Sequence, residues 1–325
     1  MKHPFVLVDV FADRKLAGNP LAVFPRAEAL PEEMLQRTAR EMDHAATAFL
    51  FPPDMAGAIF RLRIFSRERE IGFAGHPALG AHFVHAGLRG ATPTEGSTRV
   101  AHQGSEGLVE VEILWEGGAI GMLRLKQRRA EIGRRMPPED VARLARALGV
   151  SEQDVQSTNQ PVKVCSTGLP SLIVPVSTLD ALNGARPRYG DLKDLLEGLD
   201  ATVVYAFTKE TRDARASAHA RAFDTIGASE IPGAGAAAAA LSAYLVHHSA
   251  VAVRPVTELV IEQGHAAGRP STLFIEVHVE GAEPDGERAG SAGRRETDGG
   301  TLRPQIARVY LGGRVIQVGE GFLEI

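Results

Sequence analysis

The chain is poor in the residues that mark disulfide-rich, metal-clustering and membrane proteins. Its 325 residues contain one cysteine, Cys165, which excludes an intramolecular disulfide framework and a cysteine metal cluster. No apolar run approaches the roughly 20 residues that a membrane-spanning helix needs, and the apolar run near the start is too short for a signal peptide. We therefore expect a cytoplasmic protein without a metal site and without a membrane partner.

An excess of basic residues is also missing. The chain has 36 Lys and Arg residues against 40 Asp and Glu residues, so its net charge is −4. Proteins that bind nucleic acids or anionic membranes usually present a basic surface, and this balance argues against both partners. The length predicts about two domains, and a hydrophobic fraction of 44% is enough for a sizeable core.

The segment Gly75-His76-Pro77 places an ionisable imidazole at a turn that opens an Ala-rich helix. A helix start has unpaired backbone N–H groups and the positive end of the helix dipole, so it attracts carboxylates and lowers the pKa of a nearby histidine. His76 is therefore a candidate acid or base, and Gly75 a candidate for substrate binding. The alternative is a plain strand-to-helix turn that His76 caps.

A second segment, Ile231-Pro232-Gly233-Ala234-Gly235-Ala236, repeats this plan and precedes another helix of small residues. Two such units indicate two half-molecules of similar design, each with a buried central helix. His76 would then lie between two helix dipoles, with Gly235 and Ala236 at the second helix start. The alternative is that both helices serve only as core.

Short strands separated by turns, with few helices, predict an α+β fold. We assign residues 1–125 and roughly 312–325 to an N-terminal domain and residues 126–311 to a C-terminal domain. Residues 284–301 are rich in Gly, Arg, Asp and Glu, which predicts a flexible surface loop. The alternative for this loop is a lid that closes over an anionic ligand.

Several segments together resemble the PhzF family of phenazine biosynthesis, nearly end to end. They are Asp9-Val10-Phe11, Ala17-Gly18-Asn19-Pro20-Leu21-Ala22-Val23, Arg63-Ile64-Phe65, Phe73-Ala74-Gly75-His76-Pro77, Ser166-Thr167-Gly168-Leu169-Pro170, and Glu262-Gln263-Gly264 with Gly268-Arg269-Pro270-Ser271. The resemblance implies the diaminopimelate-epimerase fold, which has two pseudo-symmetric domains, each a β-barrel wrapped around a central helix. It also implies a cofactor-free site in the cleft, with Asn19 in that site.

The chain departs from the family where the family carries its acidic residues. The resemblance implies a Glu in an Asn-Leu-Ser-Glu-Thr-type segment and an Asp and a Ser in Glu-Asp-Pro-Ala-Thr-Gly-Ser. Ala46, Ile231 and Ala236 stand at these places. These replacements make the cleft apolar, which removes repulsion of an anionic ligand and removes groups that shuttle protons. Backbone N–H groups survive such changes, so a carboxylate site is still predicted.

His44, two residues before Ala46, is the candidate substitute for the missing acid or base, and its alternative role is that of a surface or capping residue. We expect a cofactor-independent isomerase that transfers a proton or a double bond on a small carboxylate metabolite, in a biosynthetic pathway, with His76 moving the proton. One alternative is bond cleavage on the same fold. Another is a non-catalytic protein that binds a ligand or a partner.

The resemblance also implies a homodimer. With Cys165 as its single cysteine, one chain forms no internal disulfide, and we expect the dimer to be held non-covalently. Size-exclusion chromatography with light scattering should therefore give the mass of a dimer, with or without reductant. A monomer at micromolar concentration would contradict this expectation.

Overall fold

Two arrays of strands, each curled around one central helix, make up the mixed α+β fold. The computed structural model describes residues 1–72, 75–88, 96–280, 294–298 and 301–325. The strands of the first array are β1 (Lys2–Val10), β2 (Asn19–Phe24), β3 (Thr47–Phe51), β4 (Arg61–Phe65), β5 (Glu70–Ile71), β6 (Gly96–Gly104), β7 (Gly107–Glu116) and β8 (Ala119–Lys126). Its helices are α1 (Glu32–Met42) and the central α2 (Gly75–Leu88), and a short 3₁₀ turn covers Ala27–Ala29.

The second array follows the first along the chain. Its strands are β9 (Glu131–Arg135), β10 (Lys163–Ser166), β11 (Ser171–Pro175), β12 (Val203–Thr208), β13 (Ala218–Asp224), β14 (Ser229–Ile231), β15 (Val256–Gln263), β16 (Ser271–Val279) and β19 (Ile306–Gly313). Its outer helices are α3 (Pro138–Leu148), α4 (Glu152–Gln156), α5 (Leu179–Gly184) and α6 (Tyr189–Leu196), and its central helix is α7 (Gly235–His247). The last strand, β20 (Val315–Glu324), pairs antiparallel with β1 and so joins the first array.

The two arrays share one pattern of strand pairing. The parallel pair β2–β3 corresponds to β11–β12, and the antiparallel pair β3–β4 corresponds to β12–β13. Strand β4 also pairs parallel with β6, as β13 does with β15. Strand β8 pairs with β19 and connects the arrays. The predicted α+β fold with two pseudo-symmetric halves is confirmed, whereas the exact domain boundaries stay a prediction.

The central helices consist mostly of small and apolar residues because strands surround them. Every residue of α7 is buried, and six of its thirteen positions are alanines that run from Ala236 to Ala240 and recur at Ala243. Such small side chains let the curled strands approach the helix axis closely. Helix α2 follows the same rule: a Cβ atom on Gly80 would lie 2.4 Å from Cδ2 of Leu21. Both helices therefore begin at fixed positions relative to their strands.

The predicted loop of residues 284–301 lies largely outside the described residues. Its described part, Arg294–Asp298, forms a strand (β17) that pairs antiparallel with Thr301–Pro304 (β18). The flexible loop of residues 284–301 therefore stays a prediction. Within the described ranges, no helix is long and apolar enough to cross a membrane.

A buried pair of histidines lies inside the first array. Nε2 of His82, on α2, is 3.0 Å from Nδ1 of His102, on β6, and the ring of Phe60 packs against both imidazoles. Burial lowers the pKa of His102 to about 4. Burial, and then the neighbouring His102, also lowers the pKa of His82 well below its ordinary value. Both side chains are therefore neutral at pH 7, one donating and the other accepting.

We predict that this pair makes the fold sensitive to acid. Below about pH 6.5 these two histidines take up protons in the unfolded chain but stay neutral in the folded protein. The free energy of unfolding therefore decreases as the pH falls. The loss is up to about 1.4 kcal/mol per pH unit for each histidine until its folded pKa is reached. The double variant His82→Leu/His102→Leu should show a shallower decline in urea denaturation between about pH 6.5 and pH 4.5.

Thr38→Val is the matched control, because Thr38 is also buried but does not titrate in this range. This variant should change the stability by the same amount at every pH. If the free energy of unfolding decreases equally steeply with falling pH in the wild type and in the double histidine variant, the pair is not the source of the acid sensitivity.

Candidate active site

The N-termini of the two central helices border one cavity of about 210 Å³ between the arrays. Most of the predicted site residues line it, namely His44, Ala46, Gly75, His76, Ile231, Gly235 and Ala236. The cavity residues that are buried form what we call the inner wall: Ala46, Gly75, His76, Val203, Gly233, Gly235, Ala236 and Ala237. The charged residues of the cavity are half-buried or exposed and form an outer rim: His44, Arg67, Glu68, Arg69, Asp224 and Glu230.

Both helix starts pack against one side chain, Leu311 of β19. A Cβ atom on Gly75 would lie 2.6 Å from Cδ2 of Leu311, and a Cβ atom on Gly235 would lie 2.5 Å from the same atom. A side chain at either glycine would therefore require Leu311 or the helix start to move. The two glycines bring the positive ends of both helices to the same cavity.

Phe11 packs against the turn that precedes helix α7. Its ring lies against the glycine turn, where a Cβ on Gly233 would be 2.9 Å and a Cβ on Gly235 would be 3.0 Å from ring atoms. Phe11 has φ 63°, a left-handed conformation that is costly for a bulky residue. Two backbone hydrogen bonds hold it there: its N–H donates to the carbonyl of Arg314 (2.8 Å), and its carbonyl accepts from Thr272 (2.9 Å).

Helix α7 begins without a side-chain cap. Its N-cap residue is Ala234, whose methyl group cannot accept a hydrogen bond from the first turn. The N–H groups of Gly235, Ala236 and Ala237 are thus among the donors that a helix start leaves without a partner inside the helix. An anion in the cavity can accept from them.

His76 is the ionisable residue of the inner wall. Its side chain is only 9% exposed, and its Nε2 atom has no hydrogen-bond partner among the described residues. Burial, and then the nearby His44, lowers the pKa of His76 to about 3. The imidazole is therefore neutral at pH 7 and can donate one hydrogen bond and accept another.

His44 reaches the rim because helix α1 ends just before it. Asp43 adopts a left-handed conformation (φ 54°) as the C-cap of α1 and turns the chain toward β3. Burial, and then the charge of Arg269, lowers the pKa of His44, while Asp43 and Asp9 act in the opposite direction. His44 and His76 influence each other electrostatically, so the structure brings these two predicted residues together.

Glu230 and Ile231 follow each other along β14, and both contribute to the cavity wall. The carboxylate of Glu230 accepts two hydrogen bonds from Arg221, at 3.0 and 2.7 Å. Nη1 of Arg221 also donates to the carbonyls of Leu182 and Ala185 at the end of α5. The carboxylate of Glu230 is therefore directed toward Arg221. This agrees with the expectation that Glu230 and Ile231, as neighbours on a strand, point to opposite faces of the sheet.

Asn19, the remaining predicted site residue, does not border the cavity. It is fully buried, and its Nδ2 donates to the carbonyl of Gly233 at 2.8 Å. Its contact with substrate stays a prediction, whereas its position shows that it holds the glycine turn before α7. Thr202 and Leu169, which sequence reasoning did not place at the cavity, border it as well, and so does Asp224. Burial raises the pKa of Asp224, whose carboxylate accepts from the N–H of Ile226 at 3.0 Å.

A cross-array ion pair lies beside His44. Arg269, which follows β15, binds the carboxylate of Asp9 on β1 and also donates to the carbonyls of Gly18 and Ala17. These contacts fix the loop after β15 against the loop after β1. Among the described residues, no group of three or more His, Cys, Asp or Glu side chains could hold a metal ion.

The glycine at the start of α7 gives a direct test of the close approach. Gly235→Ala should destabilise the fold by about 1–3 kcal/mol in urea denaturation, because its methyl group would overlap Leu311 and Phe11. Combined with Leu311→Ala, the same change should cost less than the sum of the two single variants. Gly87→Ala is the control, because no atom lies within 4 Å of a Cβ there, and it should be neutral or slightly stabilising. If the stability losses of the two single variants simply add in the double variant, Gly235 and Leu311 are not in contact.

Comparison with known proteins agrees with this architecture. The family described as phenazine biosynthesis-like protein matches residues 8–294. An uncharacterized isomerase of Clostridium acetobutylicum is 29% identical over 285 residues, which cover 87% of this chain and 92% of that protein. The trans-2,3-dihydro-3-hydroxyanthranilate isomerase of Pseudomonas fluorescens is 27% identical over 322 residues, 98% of either chain.

A solved structure is similar to this chain in fold as well as in sequence. A predicted epimerase of Pseudomonas aeruginosa superposes with a TM-score of 0.77 at 33% sequence identity, and the match covers 99% of both chains. The relatives named here are isomerases or an epimerase, which confirms the prediction of an isomerase of the PhzF type. The chain belongs to the phenazine biosynthesis-like PhzF family.

Proposed function

We propose that this protein is a cofactor-independent isomerase that moves a proton, and with it a double bond, on a small carboxylate. The observation that carries the proposal is His76, a buried imidazole whose Nε2 has no partner among the described residues, in a cavity between two helix N-termini. Its relative from Pseudomonas fluorescens is named for an isomerisation of a cyclic amino-carboxylate. The reaction class of the family and the chemistry of this cavity therefore support the same proposal.

The helix starts supply the binding energy for the carboxylate. N–H groups of the first turn of α7 donate to an anion, and the positive ends of both helix dipoles stabilise its charge. The inner wall adds apolar contacts through Ala46, Val203 and Ala236. Water leaves this wall when the substrate enters, which strengthens each remaining electrostatic interaction.

His76 transfers the proton once the carboxylate is bound. In the empty cavity burial favours the neutral imidazole, but a bound anion favours the imidazolium and raises the pKa of His76 toward neutrality. A C–H bond next to the carboxylate or its conjugated system breaks, and the proton passes to the imidazole. The electron pair shifts through the conjugated system. The imidazolium then returns the proton to a different carbon, which moves the double bond and leaves the enzyme unchanged.

His44 and Asp224 are two rim groups that could also take up or release a proton. His44 is coupled electrostatically to His76, and its protonation would oppose that of His76. Asp224 belongs to the opposite array and is shielded from water enough to raise its pKa. We assign the proton transfer to His76 because it alone among these three belongs to the inner wall.

The proposal is tested by deuterium uptake from D₂O, followed by NMR. Two substrates are used: trans-2,3-dihydro-3-hydroxyanthranilate and cyclohex-2-ene-1-carboxylate, whose allylic α-proton can move to form the 1-ene isomer. The wild type should label one of them, and His76→Ala should lower the rate roughly 10²-fold or more while the fold persists. His265→Gln is the control: it removes another partly buried histidine, one outside the cavity, and should leave the rate unchanged.

Each contrary result has a distinct meaning. Full activity in a well-folded His76→Ala variant would remove His76 from the mechanism. Saturable binding without any deuterium uptake would indicate a non-catalytic member of the family. Release of two fragments would indicate bond cleavage instead of isomerisation.

A further inference from the structure

We infer that the substrate of this cavity carries a carboxylate on an apolar ring or chain and has no ammonium group near that carboxylate. The inference rests on the proposed function and narrows its substrate class. It separates this protein from its relative in Pseudomonas fluorescens, whose named substrate, an anthranilate derivative, bears an amino group.

The inner wall is electropositive without containing a charged side chain. Helix α2 has 14 residues and helix α7 has 13, and both begin at this wall, so each contributes about half a positive charge from its dipole. A carboxylate gains from these dipoles. An ammonium group at the same depth would be repelled by both.

The only polar side chain of the inner wall, within the described residues, is His76. It is more than nine-tenths buried, and its Nε2 has no partner among those residues. A single imidazole nitrogen can satisfy one N–H group at most, whereas an ammonium group presents three donors. No other inner-wall side chain accepts a hydrogen bond from the remaining donors, so burial of the ammonium group there is unfavourable.

The other inner-wall side chains are apolar. Ala46, Val203, Ala236 and Ala237 are each at most 7% exposed. The half-buried Ile231 continues this surface toward the rim. Methyl and isopropyl groups of this kind fit a hydrocarbon ring or chain and provide no acceptor for an ammonium group.

The carboxylates that could compensate an ammonium group lie elsewhere. Glu230 is neutralised by its two hydrogen bonds to Arg221. Asp224 accepts the backbone N–H of Ile226 at the rim, where it interacts with Glu68 and Arg69 of the other array. A cationic substituent would have to remain at this rim, so it cannot lie beside a carboxylate that is bound at the helix starts.

The experiment compares two ligands that differ by one ammonium group. Cyclohexanecarboxylate and trans-2-aminocyclohexanecarboxylate are titrated into the full-length protein by isothermal titration calorimetry at neutral pH. Cyclohexanecarboxylate should bind more tightly by at least about tenfold. Equal or tighter binding of the amino acid would overturn the inference, and so would a failure of cyclohexanecarboxylate to saturate the protein at millimolar concentrations.

Two isosteric variants then locate the preference in the inner wall. Ala46→Glu places a carboxylate there, and Ala46→Gln fills the same volume without the charge. Relative to the Gln variant, the Glu variant should lose about tenfold in affinity for cyclohexanecarboxylate and should gain affinity for the amino acid. An unchanged preference would place the binding outside this wall. If either variant at this buried position fails to fold, Ile231→Asp and Ile231→Asn at the half-buried position make the same comparison.

The substrate class and the reaction are judged by different readouts. A preference for cyclohexanecarboxylate without deuterium uptake from any substrate would support the ligand class and refute the proposed isomerisation. Deuterium uptake into the anthranilate derivative together with tight binding of the amino acid would support the proposed isomerisation and refute the ligand class.

Discussion

The packing of two helix starts against Leu311 is the constraint on which the rest of the site depends. Leu311 lies so close to Gly75 and Gly235 that a Cβ atom at either position would overlap it. Because both glycines stand at helix starts, this close packing places the positive ends of α2 and α7 at one small cavity. The strand arrays fix the direction of each helix, and Phe11 holds the turn before α7 despite its left-handed backbone. The electrostatic character of the cavity therefore comes from the backbone and does not require a charged side chain.

Under the proposed function, this backbone field lets an apolar inner wall select for an anion. Ala46 and Ile231, at the places where the sequence resemblance implies acidic residues, leave the positive helix ends without an opposing charge in the inner wall. The same burial keeps His76 neutral until an anion arrives. The proposed function therefore couples substrate binding to the protonation of His76, because a bound carboxylate would supply the negative charge that the wall lacks.

The sequence predicts the parts of the site that depend on local pattern. Glycine followed by a run of small residues identified both helix starts, and residue-type replacements within family motifs identified Ala46 and Ile231. It did not predict Leu311 or Phe11 as the supports, because their contacts join segments far apart in the chain. Nothing in the sequence around Asn19 shows that its amide holds the carbonyl of Gly233. Long-range pairing, such as that of β20 with β1, is invisible to local patterns.

The protonation state of His76, with and without a bound carboxylate, shows whether the cavity binds an anion next to a neutral imidazole. It can be followed by NMR of protein labelled with ¹⁵N-histidine, with the His76 resonances assigned from His76→Gln. In the free protein His76 should stay neutral through the mildly acidic range, in keeping with a pKa of about 3. Saturating cyclohexanecarboxylate should raise that pKa by about one unit or more. If the imidazole is already charged near neutral pH, or if its pKa does not change with the carboxylate, His76 does not act as proposed.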